Sequence, residues 1–150
     1  MSSMRSDLLD RFEYWLADMD DGIARLKSQL PREVQANLDL SPDSLNALEA
    51  WLLARFPSVQ HVLAPEATEE IDGVARYIGE TFRRAIGGRW HANVDDPKNA
   101  FYGLPLLTGF SDNPTPISPH ALVSAAAERR TGSFLRTVLA SSMKRVGRRP

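Results

Sequence analysis

The hydrophobic pattern changes its period at the glycine pair 87–88, and this change constrains the fold more than any other feature. Before it, apolar residues recur every three or four positions over 68–86, which is typical of an amphipathic helix. After it, apolar and polar residues alternate over 89–94, which is typical of a half-buried strand. The segment therefore predicts a helix that ends at the glycines and leads directly into a strand.

A second strand is expected to return along the first. Residues 95–99 have the composition of a turn, and 100–106 then bring further apolar residues. Pro105 cannot donate a hydrogen bond to a neighbouring strand, so this second strand should be irregular or lie at an edge. Because an isolated hairpin is marginally stable in water, we expect it to lie on the helices.

Two earlier segments also show helical spacing. A long apolar stripe predicts one helix over 6–30, and a proline start at 41–43 predicts a second helix that ends at Pro57. These two helices are expected to pair in antiparallel fashion, with Trp15 and Trp51 in the core. Inside the third helix, Gly79 indicates the close approach of another backbone.

The C-terminal third adds a helix that begins at Ser118-Pro119, breaks at Thr131-Gly132 and resumes to Met143. Together these elements predict a mainly helical α+β fold of four to five helices with one β-hairpin near 89–107. A chain of 150 residues suffices for one domain. We expect the domain to span 1–143, followed by a basic tail over 144–150.

Composition excludes several classes of protein. The chain has no cysteine, which excludes a disulfide scaffold and a cysteine nucleophile, and its 43% hydrophobic content argues against wholesale disorder. No apolar run approaches the roughly 20 residues of a membrane span. The N-terminal segment does not resemble an export signal, so a cytoplasmic location without a membrane partner is expected.

Motifs that carry catalysis are also missing from the sequence. There is no metalloprotease helix motif, no glycine-rich phosphate loop and no nucleophile elbow. His61, His91 and His120 lie in three separate segments without ligand spacing, and the three pairs of adjacent acids suit a solvated surface better than a site. We therefore expect no catalytic residue, no metal and no cofactor.

Charge is distributed unevenly along the chain. Residues 1–127 hold 11 basic and 18 acidic residues, a net −7, whereas residues 128–150 hold seven basic residues and one acid, a net +6. A basic C-terminal helix could bind phosphates, but cations at a helix C-terminus are also favoured by its dipole. A fit of the basic end against the acidic body is the preferred interpretation.

One cluster of residues could form a binding surface at the junction of helix and strand. Arg76, Glu80 and Arg84 are spaced four apart, which alone predicts an exposed ladder of charges. The functional alternative gathers arginine and aromatic residues, the types that anchor interfaces. Its candidate binding residues are Tyr77, Arg83, Arg84, Arg89 and Trp90.

Three stretches carry a resemblance to known proteins: LDLSPDSLNALEAWLLARFPS over 38–58, ARYIGETFRRAIGGRW over 75–90 and NAFYGLP over 99–105. They resemble a group of small uncharacterised bacterial proteins, above all actinobacterial ones, for which the resemblance implies no activity. More loosely, the chain is similar to immunity-type proteins of bacterial toxin systems. Neither resemblance implies site residues.

Three classes of function follow. A non-catalytic protein-binding module, immunity-like in one form, comes first because the sequence combines a good core with an arginine-rich aromatic cluster and no catalytic motif. Its partner would be another protein, or a second copy of the chain in a homodimer. A nucleic-acid-associated protein acting through the basic C-terminal helix is the second class, and an enzyme with an unrecognised site is the third.

Overall fold

The computed structural model describes residues 2–110 and 115–147. Its helices, in chain order, are α1 (Ser2–Ala17), α2 (Met19–Ser28), α3 (Arg32–Gln35), α4 (Ser44–Arg55), α5 (Val59–Leu63), α6 (Thr68–Ile86), α7 (Pro119–Arg129) and α8 (Phe134–Arg145). The strands are β1 (Arg89–Ala92) and β2 (Pro105–Thr108), and a short 3-10 turn covers Pro65–Ala67.

The fold is mainly helical with a two-stranded antiparallel hairpin, as the sequence predicts. The expected number of four to five helices is wrong, since the described residues form eight. Two of the additional helices, α3 and α5, are single turns within connections. Within the described residues, no helix is long and apolar enough to cross a membrane.

Another additional helix arises because the predicted helix over 6–30 is broken at Asp18, which has φ −92° and ψ 12°. Beside this break, the Trp15 carbonyl accepts a hydrogen bond from Arg76 Nη1 (2.8 Å), and Asp18 Oδ2 lies 3.6 Å from Arg76 Nη2. The interruption therefore lies beside a nearly buried cation of another helix, and the local apolar stripe does not reveal that contact.

Helix α6 occupies the centre of the fold. It packs most extensively against α2 and α7, while α4 packs most extensively against α8. This arrangement replaces the expected antiparallel pair formed by the two N-terminal predicted helices. The fully buried side chains of α6 that fill the core include Val74, Ala75, Tyr77, Ile78 and Phe82.

The hairpin follows α6 directly, as predicted, after Gly87 adopts a positive φ of 80°. In its register His91 faces Leu106 and Arg89 faces Thr108. Ala92 is buried whereas Arg89 and His91 are exposed, so the alternation expected from the sequence is present. Ile117 extends the sheet by a bridge to Leu107, with N–H···O distances of 2.8 and 2.9 Å.

The C-terminal helices lie where the sequence places them, and two cations of this region contact α4 or the residues that flank it. Arg130, in a left-handed conformation between α7 and α8, donates hydrogen bonds to the carbonyls of Leu53 and Phe56. Arg136 forms an ion pair with Asp43 (3.0 Å). Helix α8 continues two residues beyond Met143, the predicted end of the domain, while residues 148–150 of the predicted tail lie outside the described residues.

Candidate functional site

Two of the predicted binding residues, Arg83 and Trp90, meet at the carboxylate of Glu80. Arg83 donates two hydrogen bonds to it, from Nε (2.9 Å) and Nη2 (3.0 Å), and Trp90 donates a third from Nε1 (2.7 Å). Burial alone would raise the pKa of Glu80, but these hydrogen bonds outweigh it and hold the pKa below its ordinary value. The carboxylate is therefore already paired within the fold.

The structure does not bring the other three candidates to the same surface. Tyr77 is fully buried, its hydroxyl 2.7 Å from Ser44 Oγ and accepting from the Leu40 amide (2.8 Å). Arg84 is exposed on α6, and Arg89 is exposed on the outer face of β1. The predicted five-residue cluster is thus divided among the core, the surface of α6 and the hairpin.

Trp90 is a packing residue of the junction between α6 and the hairpin. Its ring meets that of Trp15 edge to face, with centroids 4.9 Å apart and planes at 75°. A Cβ built on Gly79 would lie 2.0 Å from Trp90 Cη2. Gly79 does therefore permit a close approach, but the approaching group is an indole side chain rather than the backbone expected from the sequence.

The predicted exposed ladder on α6 is wrong at Arg76, which is only 4% exposed. Its guanidinium pairs with Asp72 (Nε to Oδ2, 3.0 Å) rather than with Glu80. It also lies 4.5 Å from the ring centroid of Trp15 and fills the space beside Gly22, where a Cβ would lie 2.6 Å from Arg76 Cδ. Arg76 thus joins α6 to the N-terminal helices.

Asp72 is the acceptor at the centre of this network. Besides Arg76, Trp15 Nε1 donates to its Oδ1 (2.9 Å), and His120 Nε2 lies 3.1 Å from the same oxygen. Burial alone would raise the pKa of Asp72, but hydrogen bonds from His120, Trp15 and Arg76 hold it below its ordinary value. The network ties α1, α6 and α7 together, and both oxygens of its carboxylate accept hydrogen bonds.

The remaining histidines do not meet a common site. His61 Nδ1 lies 2.7 Å from Ser58 Oγ, three residues earlier in the chain, and His91 is exposed on β1. Within residues 2–110 and 115–147, no three histidine or acidic side chains lie close enough together to hold a metal ion.

A groove of about 530 Å³ lies over the outer face of the hairpin. Its volume is within the range of typical ligand pockets, about 300–1,000 Å³. Strand residues supply its floor and the segments 99–101 and 116 its remaining lining. The lining residues are Arg89, His91, Asn93, Asn99, Ala100, Phe101, Leu106, Thr108 and Pro116. We call this feature the hairpin groove.

Arg89 differs from the arginines of α6 in its pairing. Its guanidinium packs over Gly109, where a Cβ would lie 2.9 Å from Arg89 Nη1, and it has no ion pair or hydrogen bond with any residue that the structure describes. Among the described residues, no carboxylate belongs to the lining of the hairpin groove. A cation that these residues leave unpaired on a strand, in a groove that Phe101 also lines, is an arrangement suited to binding.

Sequence reasoning finds part of this groove. Alternation along β1 places Arg89, His91 and Asn93 on one face, and Arg89 is among the predicted binding residues. It misses Phe101 and Asn99, because their position depends on how the connection after β1 folds back over the strands. Thr108 could not be placed in the groove from the sequence, because its position opposite Arg89 depends on the register of β2 against β1.

No protein-family model, curated protein or solved structure matches the chain. The resemblances to small bacterial proteins and to immunity-type proteins therefore stay predictions.

Proposed function

We propose that this chain is a non-catalytic protein-binding module and that the hairpin groove receives its partner. The observation that carries the proposal is Arg89, which no described residue pairs, in a preformed groove that also holds an aromatic side chain. Arginine and aromatic residues dominate the binding energy of many protein interfaces. Inhibition of a toxin-like partner, as in immunity proteins, is one form this function could take.

The charged clusters around Glu80 and Asp72 are less suited to bind a partner than the hairpin groove. Glu80 and Asp72 are paired with donors of the chain itself, so a partner would gain little from them. The nucleic-acid alternative loses some support for a similar reason, since Arg130 donates to carbonyls at the end of α4 and Arg136 pairs with Asp43.

The test blocks the groove without disturbing the core. Ala100 is exposed and lines the groove, so Ala100→Trp fills the groove from its edge. Ala50, exposed on α4, provides the matched control Ala50→Trp. Tagged full-length chains would be expressed in the native cell, and proteins that co-purify in stoichiometric amount would be identified by mass spectrometry.

We expect the wild type and Ala50→Trp to retain the same partner and Ala100→Trp to lose it. Circular dichroism melting curves of the three proteins establish that each is folded. Equal recovery of the partner by both variants would place the interface elsewhere and refute the proposal for the groove.

A further inference from the structure

Two neighbouring side chains on the outer face of β1 can carry positive charge. Arg89 and His91 are both exposed and both line the hairpin groove. Neither side chain forms an ion pair or hydrogen bond with any residue that the structure describes. Because residues two positions apart on a strand face the same way, about 6.6 Å apart, the two side chains reach the same part of the groove.

Thr108 completes this end of the groove. It also lines the groove, and it lies directly opposite Arg89 in the antiparallel register, where facing Cβ atoms are about 5 Å apart. The Arg89 guanidinium lies over Gly109, the residue after Thr108, and therefore stays near this strand end. A guanidinium only donates hydrogen bonds, whereas a hydroxyl can donate or accept. This end of the groove thus offers several donors to one acceptor group.

The other charged residues near His91 lie in the turn that follows β1. Asp95, Asp96 and Lys98 are exposed there, at the opposite end of the strand from Arg89. The described residues that line the groove come from β1, β2, the connection between these strands and position 116, and only Arg89 and His91 among them can carry a charge. The Arg89 end of the groove therefore combines one permanent cation with one imidazole.

We propose that Arg89, His91 and Thr108 receive the carboxylate of one acidic side chain of the partner protein. A guanidinium binds a planar carboxylate through two parallel hydrogen bonds, and the neighbouring hydroxyl can donate another. The groove, at about 530 Å³, is much larger than a carboxylate, so it has room for the adjoining residues of the partner against half-buried Phe101 and Pro116. This inference rests on the proposed function, since it names the chemical group that the groove recognises.

His91 makes this recognition depend on pH. Histidine side chains gain their charge between about pH 8 and pH 5, whereas glutamate side chains stay mostly ionised above about pH 5. A second positive charge therefore develops beside Arg89 while the ligand keeps its negative charge. Binding of the carboxylate should tighten as the pH falls from about 7.5 to about 5.5.

Two synthetic peptides test this chemistry directly. Both are blocked at their termini and have serine at each end, leucine next to each serine, and either glutamate or glutamine in the middle. Each is titrated at low ionic strength into the ¹⁵N-labelled full-length protein at about pH 7.5 and about pH 5.5, and NMR follows the backbone amides. Sodium acetate, a carboxylate without a peptide, is titrated separately.

Arg89→Gln and His91→Gln remove the two proposed contacts. Their matched controls are Arg32→Gln on α3 and His61→Gln on α5, both of which replace exposed side chains outside the groove. The amide spectrum of each variant establishes that it is folded.

We expect the glutamate peptide to shift signals of β1 and β2 and to bind at least about fivefold more tightly than the glutamine peptide at about pH 5.5. Arg89→Gln should remove most of this preference. His91→Gln should remove its increase between about pH 7.5 and about pH 5.5, and both control variants should retain the preference and the increase.

Equal binding of the two peptides, no binding of either, or a preference that survives Arg89→Gln would overturn the inference. An unchanged pH dependence in His91→Gln would overturn the role given to His91. Acetate binding as tight as that of the glutamate peptide would overturn the placement of the carboxylate on a protein segment. Each of these results leaves the proposed function to be judged by the Ala100→Trp comparison, which depends on the native partner and not on these peptides.

Discussion

Arg76 donates a hydrogen bond from Nη1 to the main-chain carbonyl of Trp15, 2.8 Å away and 61 residues earlier in the chain. The same guanidinium stacks on the Trp15 indole and pairs with Asp72. One nearly buried cation thus satisfies a carbonyl near the end of α1 and a carboxylate on α6, so the attachment of α1 depends on polar contacts as well as on apolar burial.

Replacing Arg76 by alanine should destabilise the fold strongly. The change leaves Asp72 and the half-buried Asp18 without their shared cation, and removing one partner of a buried pair costs about 3 kcal/mol or more. Arg55→Ala is the control, since Arg55 forms an exposed pair with Glu70 and its loss should change stability far less. Urea denaturation measures both. Similar losses in the two variants would contradict the role given to Arg76.

Local signals in the sequence explain which parts of the fold could be predicted. The end of α6 and the start of β1 follow from a glycine pair and a change of period, both contained within about ten residues. The position of Arg76 could not be predicted in this way, because a spacing of four residues permits a pair with either Asp72 or Glu80. The choice between them is made by Trp15 and Asp18, whose proximity depends on tertiary packing.

The same distinction applies to the candidate site. Alternation identifies Arg89 as outward-facing, because the two faces of a strand are fixed by sequence parity. Tyr77 is expected at a surface because it is aromatic and lies beside a charged ladder, and this expectation is wrong. Its burial against Ser44 and Leu40 arises from the way the segment before α4 crosses α6, and no motif in the sequence indicates that crossing.

Gly79→Ala should destabilise the protein although alanine is the better helix former by about 1 kcal/mol. The added methyl group would overlap the Trp90 ring, which Trp15 and Glu80 hold in place, and overpacking of this kind costs about 1–3 kcal/mol. Thermal melting monitored by circular dichroism measures the loss. In a Trp90→Ala background the loss should shrink, since only Pro119 Cγ, 3.1 Å from the built Cβ, remains close; an equal loss in both backgrounds would show that the indole is not the obstacle.

Glu49→Ala should loosen the start of α8. The fully buried carboxylate accepts from the part-buried amide of Phe134 (3.1 Å) and the buried amide of Leu135 (2.8 Å), and its removal leaves both donors unpaired at a cost of about 2 kcal/mol. Glu49→Gln, which keeps an acceptor oxygen, should lose less. Exposed Glu69 supplies the control Glu69→Ala. Hydrogen exchange of the first turn of α8 would accelerate in the order Glu69→Ala, Glu49→Gln, Glu49→Ala, and a different order would refute the capping role.

Acid should weaken the fold partly through Asp72. Its pKa is held below the ordinary value of 3.8, so the carboxylate stabilises the folded chain at pH values above 3.8, and this contribution is lost as the pH falls through the lower folded-state value.

Asp72→Asn lacks the titrating group, so its stability should depend less on pH below about pH 5. The difference in unfolding free energy between wild type and Asp72→Asn should therefore shrink as acid is added, as measured by urea denaturation at a series of pH values. Asp20→Asn, an exposed replacement on α2, is the matched control variant. A difference between wild type and Asp72→Asn that stays constant from about pH 7 to about pH 2 would mean that the network does not depend on the charge of Asp72.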